Sequence, residues 1–367
     1  MEPIIKPIDV QLLKAELTPA KKLRDTNKGH NEIYILDHHD SPNVMLEIGR
    51  LREEAFRDSG GGSGLAADID EFDTMERPYR QLIVWDPDNE KILGGYRYIY
   101  GTDIKIDEKG QPVLATSHMF NFSEKFVNEY LPHTIELGRS FVAPEYQSRQ
   151  AGVKALFALD NLWDGLCALV IERPGMKYFF GKMTMYPEYN REARDLIQHF
   201  LFKHFEDKEK LVTPMDPLKI ETDVDYMNSI LTEEDFKEDY KLLNAAVRKH
   251  GVNIPPLVNA YMGLSPTMKM FGGGINHEFS EAEETCILIA YDEIHQEKIE
   301  RHTDSYLNEK YEKIERRFPK FVANMGEGLR DMLAKRRVKR QEKAELKAKK
   351  RSVRKAKRAT KKNKKNQ

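Results

Sequence analysis

The sequence predicts an α/β fold, and three features of the chain carry the prediction. The apolar runs 81–85 and 92–100 are rich in aliphatic and aromatic residues and are separated by Asp86-Pro87-Asp88-Asn89, so they read as two strands of an antiparallel hairpin. Glu136-Leu137-Gly138-Arg139-Ser140-Phe141-Val142 reads as a third strand, stopped by the turn at Pro144. Helical spacing over about 149–170, and again at Tyr189, Ala193, Leu196, Ile197, Phe200 and Leu201, brackets a further strand at 177–185. The order is therefore β-β-β-α-β-α, ahead of a final apolar strand at 285–291.

Along the chain, residues 1–40 read as an N-terminal arm with a short amphipathic stretch and a polar linker, and 41–305 as the folded domain. Val44, Leu46, Ile48, Leu51, Ala55 and Phe56 give 43–58 a helical period, with Ser41-Pro42 as its start. Gly60-Gly61-Gly62-Ser63-Gly64 ends that helix, and a loop closing over substrate and a plain flexible linker fit it equally. An acidic turn, Asp68-Ile69-Asp70-Glu71-Phe72-Asp73, precedes the hairpin, and a short helix is expected over 123–130. Residues 207–256 form an insertion, helical over 232–250, and Gly272-Gly273-Gly274 reads as a turn. From 306 to 367 the pattern is a helical extension ending in a Lys/Arg-rich tail, helical or disordered, with no apolar stripe to build a core.

A chain of 367 residues with 40% hydrophobic and 10% aromatic content can bury a sizeable core. No apolar run approaches the roughly 18 residues that cross a bilayer, and the first residues lack a basic segment followed by an apolar signal core, so a cytoplasmic location is expected. Cys167 and Cys286 sit in apolar stretches and are expected to be buried small hydrophobes. His118, His133 and His277 fall in loops without metal-ligand spacing, and there is no Gly-x-Ser-x-Gly elbow or Walker-type phosphate loop. The net charge of −1 hides an asymmetry: 331–367 holds 18 Lys or Arg against Asp331, Glu342 and Glu345, so the tail carries +15 and the first 330 residues −16.

Charge inside an apolar strand needs a partner, and Glu136 and Arg139 are such charges. At i and i+3 they leave a regular strand on opposite faces, and only a bulge between them would bring them together. Arg52 on the first helix, Asp70 and Asp73 in the acidic turn, and Arg97 at the end of the second hairpin strand complete a charged set. Two readings stand open: a reacting site, or an ion network that fastens the helix to the sheet, with Asp70 and Asp73 also readable as a solvated turn. In the first, Glu136 is a base acting through water or a holder of an ammonium, and Arg139 grips a carboxylate with two prongs. Tyr186, ending the 177–185 strand, is either a proton donor or a packing residue.

The set resembles the acyl-carrier-protein-dependent branch of the GNAT acyltransferases: the ornithine-lipid and glycine-lipid N-acyltransferases, also described as hemolysin-like, and more distantly the acyl-homoserine-lactone synthases. The matching pieces are Arg52 to Phe56, Asp70/Asp73, Gly94 to Arg97 and Glu136/Arg139, then Ile254-Pro255-Pro256-Leu257, the glycine run, His277-Glu278-Phe279 and Cys286-Ile287-Leu288-Ile289-Ala290. The resemblance covers most of 40–305 and implies a GNAT-like mixed, largely antiparallel sheet flanked by helices. It implies that the strand at Ser140, Phe141 and Val142 splays from the 178–185 strand, that pantetheine lies in the gap, and that main-chain N–H groups there polarise the thioester carbonyl. It also assigns Arg52, Asp70, Asp73 and Arg97 to substrate binding, with Glu136, Arg139 and Tyr186 catalytic and no metal. Coenzyme A-dependent relatives hold pyrophosphate on a Gly-rich helix start; here Gln147-Ser148-Arg149-Gln150-Ala151-Gly152 has Gln150 where the first glycine belongs.

The resemblance implies an amide-forming enzyme that moves a long-chain, 3-hydroxylated acyl group from acyl carrier protein to the α-amino group of glycine or ornithine, opening amino-acid lipid synthesis. It needs no permanently bound cofactor, its donor substrate being the acyl-phosphopantetheine thioester. Apolar residues at 178–180 and 196–205 are candidates to shelter the chain. The tail is expected to hold the enzyme at an anionic membrane surface, with the acidic carrier protein and nucleic acid as other partners. The rival is a non-catalytic GNAT-like scaffold whose working part is a nucleic-acid- or ribosome-binding tail.

Overall fold

The structure, a computed structural model, describes residues 1–147 and 152–317, with the side chains of 152–156 and 311–317 outside the description. In chain order its elements are α1 (Val10–Glu16), β1 (Lys22–Asp25), β2 (Glu32–Leu36), α2 (Pro42–Asp58), α3 (Glu71–Thr74), β3 (Arg80–Asp86), β4 (Lys91–Tyr100), β5 (Phe120–Phe122), β6 (Thr134–Val142) and α4 (Gly152–Glu172). There follow β7 (Tyr178–Met185), α5 (Arg191–Phe205), β8 (Val212–Pro214), α6 (Val224–Ile230), α7 (Phe236–Lys249), α8 (Pro256–Met262), β9 (Lys269–Asn276), β10 (Ala282–Ala290) and α9 (Gln296–Arg317). Met1–Tyr306 is one compact unit, and a second begins at Leu307.

The main sheet has eight strands in the order β1-β2-β3-β4-β6-β7-β10-β9, and β5 pairs with β8 in a small second sheet. Only β6 and β7 run parallel, so the sheet is mixed and largely antiparallel, as the sequence leads one to expect. Side-chain alternation splits the core in two. Tyr98, Leu137, Phe179, Ile287 and Ile289 join Leu162, Leu166 and Leu169 of α4 in one buried cluster. Ile99, Phe180, Cys286 and Leu288 join Phe120 and Phe122 of β5 and Val212 of β8 in the other.

Three elements differ from expectation. Residues 22–36, placed in an arm, form β1 and β2 on the edge of the main sheet; Ile33 and Leu36 are buried, but the apolar run is too short to stand out from the polar residues around it. The glycine run read as a turn lies inside β9, where a register shift opposite Thr285 and Ile287 is taken up at Gly272, with φ +92°. The insertion is not purely helical, because it carries β8 as well as α6, α7 and the start of α8.

The feature that matters for function is a fork. Pairing of β6 with β7 runs from Thr134↔Tyr178 to Leu137↔Gly181 and stops, after which β6 stays with β4 and β7 with β10. On the β4 side, Gly95 and Arg97 face Phe141 and Gly138, so three steps of β6 lie against two of β4, and Arg139 takes φ +47° in the bulge. Glycines permit the close approach: a Cβ on Gly94 would stand 2.4 Å from the Phe141 carbonyl oxygen, and one on Gly181 2.7 Å from that of Leu137.

Candidate active site

A cavity of about 360 Å³ opens at this fork, and Glu136, Arg139, Ser140 and Tyr186 all line it. The bulge removes the objection that residues three apart on a strand face opposite ways. Glu136 is 2% exposed, and among the described residues no cation is bonded to it. Its Oε2 accepts a hydrogen bond from the Tyr79 hydroxyl and its Oε1 one of 2.9 Å from Thr116 Oγ1. The Ala115 N–H, in turn, donates to the Tyr79 oxygen at 3.0 Å, which orients the phenol. Burial pushes the Glu136 carboxyl up, and the two hydroxyl donors and the charges of Arg97 and Lys182 offset part of that rise. The result is a carboxylate of increased basicity at the foot of the fork, suited to take a proton from an amine.

The other charges form a connected wall. Arg52, fully buried, donates to Asp73 at 3.0 Å and to Gln81 at 2.5 Å. Arg97 donates to both Asp70 oxygens at 2.7 and 2.6 Å and reaches Asp73 at 3.3 Å, its guanidinium lying 5.2 Å from the Tyr79 ring centre. Asp70 also caps α3, accepting from the N–H groups of Phe72 and Asp73. Burial would raise its carboxyl, but Arg97 and Arg139 hold it at about 2. Asp70 and Arg97 line the cavity, whereas Arg52 and Asp73 stand behind the wall, and Phe141 and Val142 do not line it either. Leu196, Phe200 and Leu201 of α5 are core residues away from the cavity, while Phe179 and Phe180 line it.

Arg139 is occupied rather than free. Its Nε lies 3.0 Å from Asp68 Oδ2 and its Nη2 3.5 Å from Asp70, with the guanidinium carbon 4.5 Å over the Phe279 ring. The Nε contact is an ion pair without hydrogen-bond alignment, leaving both atoms buried and unsatisfied. Phe279 also stacks edge-on against Phe56, 5.2 Å between centres, which ties the bulge to α2. Tyr186 packs on the glycine segment, where a Cβ at Gly61 would strike its ring, and burial holds its phenol up at about 12. That segment is pinned: Ser63 N–H and Oγ donate to Glu53 Oε2 at 2.9 and 2.8 Å, Gly64 N–H donates to Glu53 Oε1 at 2.9 Å, and Ser280 Oγ to Gly62 O at 2.7 Å.

Sequence reasoning missed Lys182, Glu284 and Asn276 and read His118 as an ordinary loop residue; together they form a second polar group in the same cavity. Lys182 pairs with Glu284 at 2.5 Å, Asn276 donates to Glu284 at 2.9 Å, and His118 Nε2 lies 3.3 Å from Asn276 Oδ1. On the other side of the sheet the cavity wall is apolar, with Phe179, Leu257, Ile287 and Ile289, and the Tyr96 and Tyr261 hydroxyls meet there at 3.2 Å.

The acetyltransferase (GNAT) domain profile matches residues 51–156, the segment that carries the second half of α2, the hairpin and the bulged strand. The chain is 63% identical over 307 residues to a glycine N(alpha)-acyltransferase of Bacteroides thetaiotaomicron, covering 84% of this chain and 91% of that one. It is likewise 63% identical over 309 residues to a glycine N(alpha)-acyltransferase of Phocaeicola vulgatus, covering 84% and 95%. The chain belongs to this acyltransferase family. It is therefore an enzyme with a GNAT domain, and the scaffold reading falls. A solved structure of a coenzyme A-dependent acyl-homoserine lactone synthase is 11% identical with a TM-score of 0.34, covering 74% of this chain and 88% of that one. Among the described residues no helix is long and apolar enough to cross a membrane.

Proposed function

We propose that this acyltransferase moves a long-chain, 3-hydroxylated fatty acyl group from acyl carrier protein to the α-amino group of glycine, the first step toward an amino-acid lipid. The observation that carries the reading is the buried, hydroxyl-held Glu136 carboxylate at the point where β6 and β7 part. The names of the relatives favour glycine over ornithine as acceptor. The phosphopantetheine arm lies in the fork as an added strand, with its thioester carbonyl toward the bulge at Ser140. Glu136 takes a proton from the glycine ammonium, directly or through water, and the freed amine attacks the carbonyl. The C–N bond forms, the C–S bond breaks, and Tyr186, protonated at neutral pH, gives a proton to the thiolate; the second proton lost by the nitrogen as the amide forms returns through water to the Tyr186 oxygen. Arg139, Arg97 and Asp70 keep the bulge and its cavity wall in place, backed by Arg52 and Asp73.

Carrier protein is favoured as donor by Gln150, which replaces the first glycine of a pyrophosphate cradle; residues 148–151 lie outside the described residues. The apolar wall of Phe179, Leu257, Ile287 and Ile289 suits the acyl chain. Purified protein given acyl carrier protein or coenzyme A thioesters, with a panel of amino acids, tests the proposal by mass spectrometry of the amide. Acylglycine from the carrier-protein donor is expected. Equal turnover with coenzyme A would overturn the donor, a better acceptor than glycine would overturn the acceptor, and no amide with any pair would overturn the whole.

A further inference from the structure

We infer that Lys182, supported by His118, binds the carboxylate of the amino-acid acceptor and so sets the requirement for an α-amino acid over a simple amine. The inference rests on the proposed N-acylation and names the acceptor subsite within it.

The basic side chains of Arg97, Arg139 and Lys182 line the cavity. Arg97 is spent on Asp70 and Asp73, and the Arg139 charge is met by two carboxylates, Asp68 and Asp70, with its guanidinium stacked on the Phe279 ring, so a further carboxylate there would face two already in place. Among the described residues Lys182 has one strong partner, Glu284 at 2.5 Å. Its other contact is the Met119 thioether at 3.6 Å, a poor acceptor for an ammonium that carries three donors. A carboxylate entering beside Met119 offers a much better one.

Register puts this ammonium in the right place. Glu136 pairs with Phe180, and Lys182 is the next residue of β7 on the same face, the first beyond the last β6–β7 pair at Leu137↔Gly181. Two residues along a strand advance roughly 6–7 Å. An α-amino acid, with one carbon between its charged groups, can reach from Glu136 with its ammonium to Lys182 with its carboxylate, across the mouth of the fork. His118 lines the same wall, and burial and the Lys182 charge favour its neutral form, whose one N–H, on Nε2, is given to Asn276 Oδ1 at 3.3 Å; it therefore supports Lys182 indirectly, by fixing the amide that in turn holds Glu284. Glu284 neutralises Lys182 in the resting site, and Asn276 donates to that carboxylate at 2.9 Å, which fixes its place on the cavity wall.

The test compares glycine with glycinamide, which keeps the amine and lacks the carboxylate, using one acyl donor throughout. In the unaltered protein kcat/KM should favour glycine. Lys182→Gln should raise the glycine KM at least tenfold, leave the donor KM unchanged and collapse the preference over glycinamide. Lys182→Arg should restore most of the preference, which a purely structural role in the Glu284 pair would not require. Should Lys182→Gln fail to fold, His118→Ala should still raise the glycine KM severalfold and narrow the preference. A folded Lys182→Gln or His118→Ala that keeps the full preference overturns the inference. So does loss of preference in Arg139→Lys with retention in Lys182→Gln, which would put the carboxylate on Arg139. If the unaltered protein acylates other amines but no amino acid, the function proposed above fails and this subsite with it.

Discussion

Glu136 sits where folding and catalysis pull in opposite directions. Its folded-state affinity for a proton is raised by burial, so it contributes stability in its protonated form and loses that contribution as pH rises through the folded value, while the reaction needs the carboxylate. Activity should therefore show an acid limb above the ordinary carboxylate range. Tyr79 donates to the charged form, so Tyr79→Phe removes a stabilising bond from the carboxylate and must move the limb of kcat/KM further up in pH. A limb that stays put or moves down would mean that Glu136 is not the titrating base. The sequence made Glu136 visible because an acid in an apolar strand is conspicuous. By the same logic Lys182, in the apolar run Phe179-Phe180-Gly181-Lys182-Met183, was equally visible and was passed over. Tyr79 and Thr116 gave no such signal, since a tyrosine after a proline and a threonine in a loop are ordinary until the fold brings them to a buried carboxylate.

At the scale of elements, the fork depends on how closely three strands approach. Gly94 faces Val142, and a Cβ there would meet the Phe141 carbonyl oxygen and the Val142 Cα, both backbone atoms that cannot rotate away. Gly94→Ala should cost roughly 1–3 kcal/mol of stability, read by denaturant unfolding, and should lower activity by displacing the bulge. Unchanged stability would show that the β4–β6 contact is looser than described. The hairpin, the bulged strand and their order were legible because apolar alternation and the Asp86 to Asn89 turn are local signals. The edge strands β1 and β2 were not, because four and five residues supply too little pattern. Nor was β9, where Gly272 takes φ +92° and the Asp216 carbonyl oxygen would stand 3.1 Å from a Cβ on Gly274, tertiary causes that read locally as a turn.

For the whole molecule, the division of charge between a +15 tail and a −16 remainder asks for an anionic partner, although 318–367 lie outside the described residues. Each basic residue near an anionic surface contributes about 1 kcal/mol, so partial engagement of the tail is enough for reversible attachment. Truncation after Gly328 should leave turnover of soluble substrates intact and abolish sedimentation with anionic vesicles at low salt. Pelleting by the truncated chain, or a preference of the full chain for RNA over vesicles at matched salt, would contradict the membrane role. The central claim is that the fork at Glu136 makes an N-acyl amino acid, and the most direct test is mass spectrometry of lipids from cells expressing the full chain or its Glu136→Gln variant. The account predicts an N-acylglycine lipid with the first and at least about a hundredfold less with the second, equivalent to about 2.7 kcal/mol of transition-state stabilisation. The same amide from both, or from neither while both fold, would contradict it.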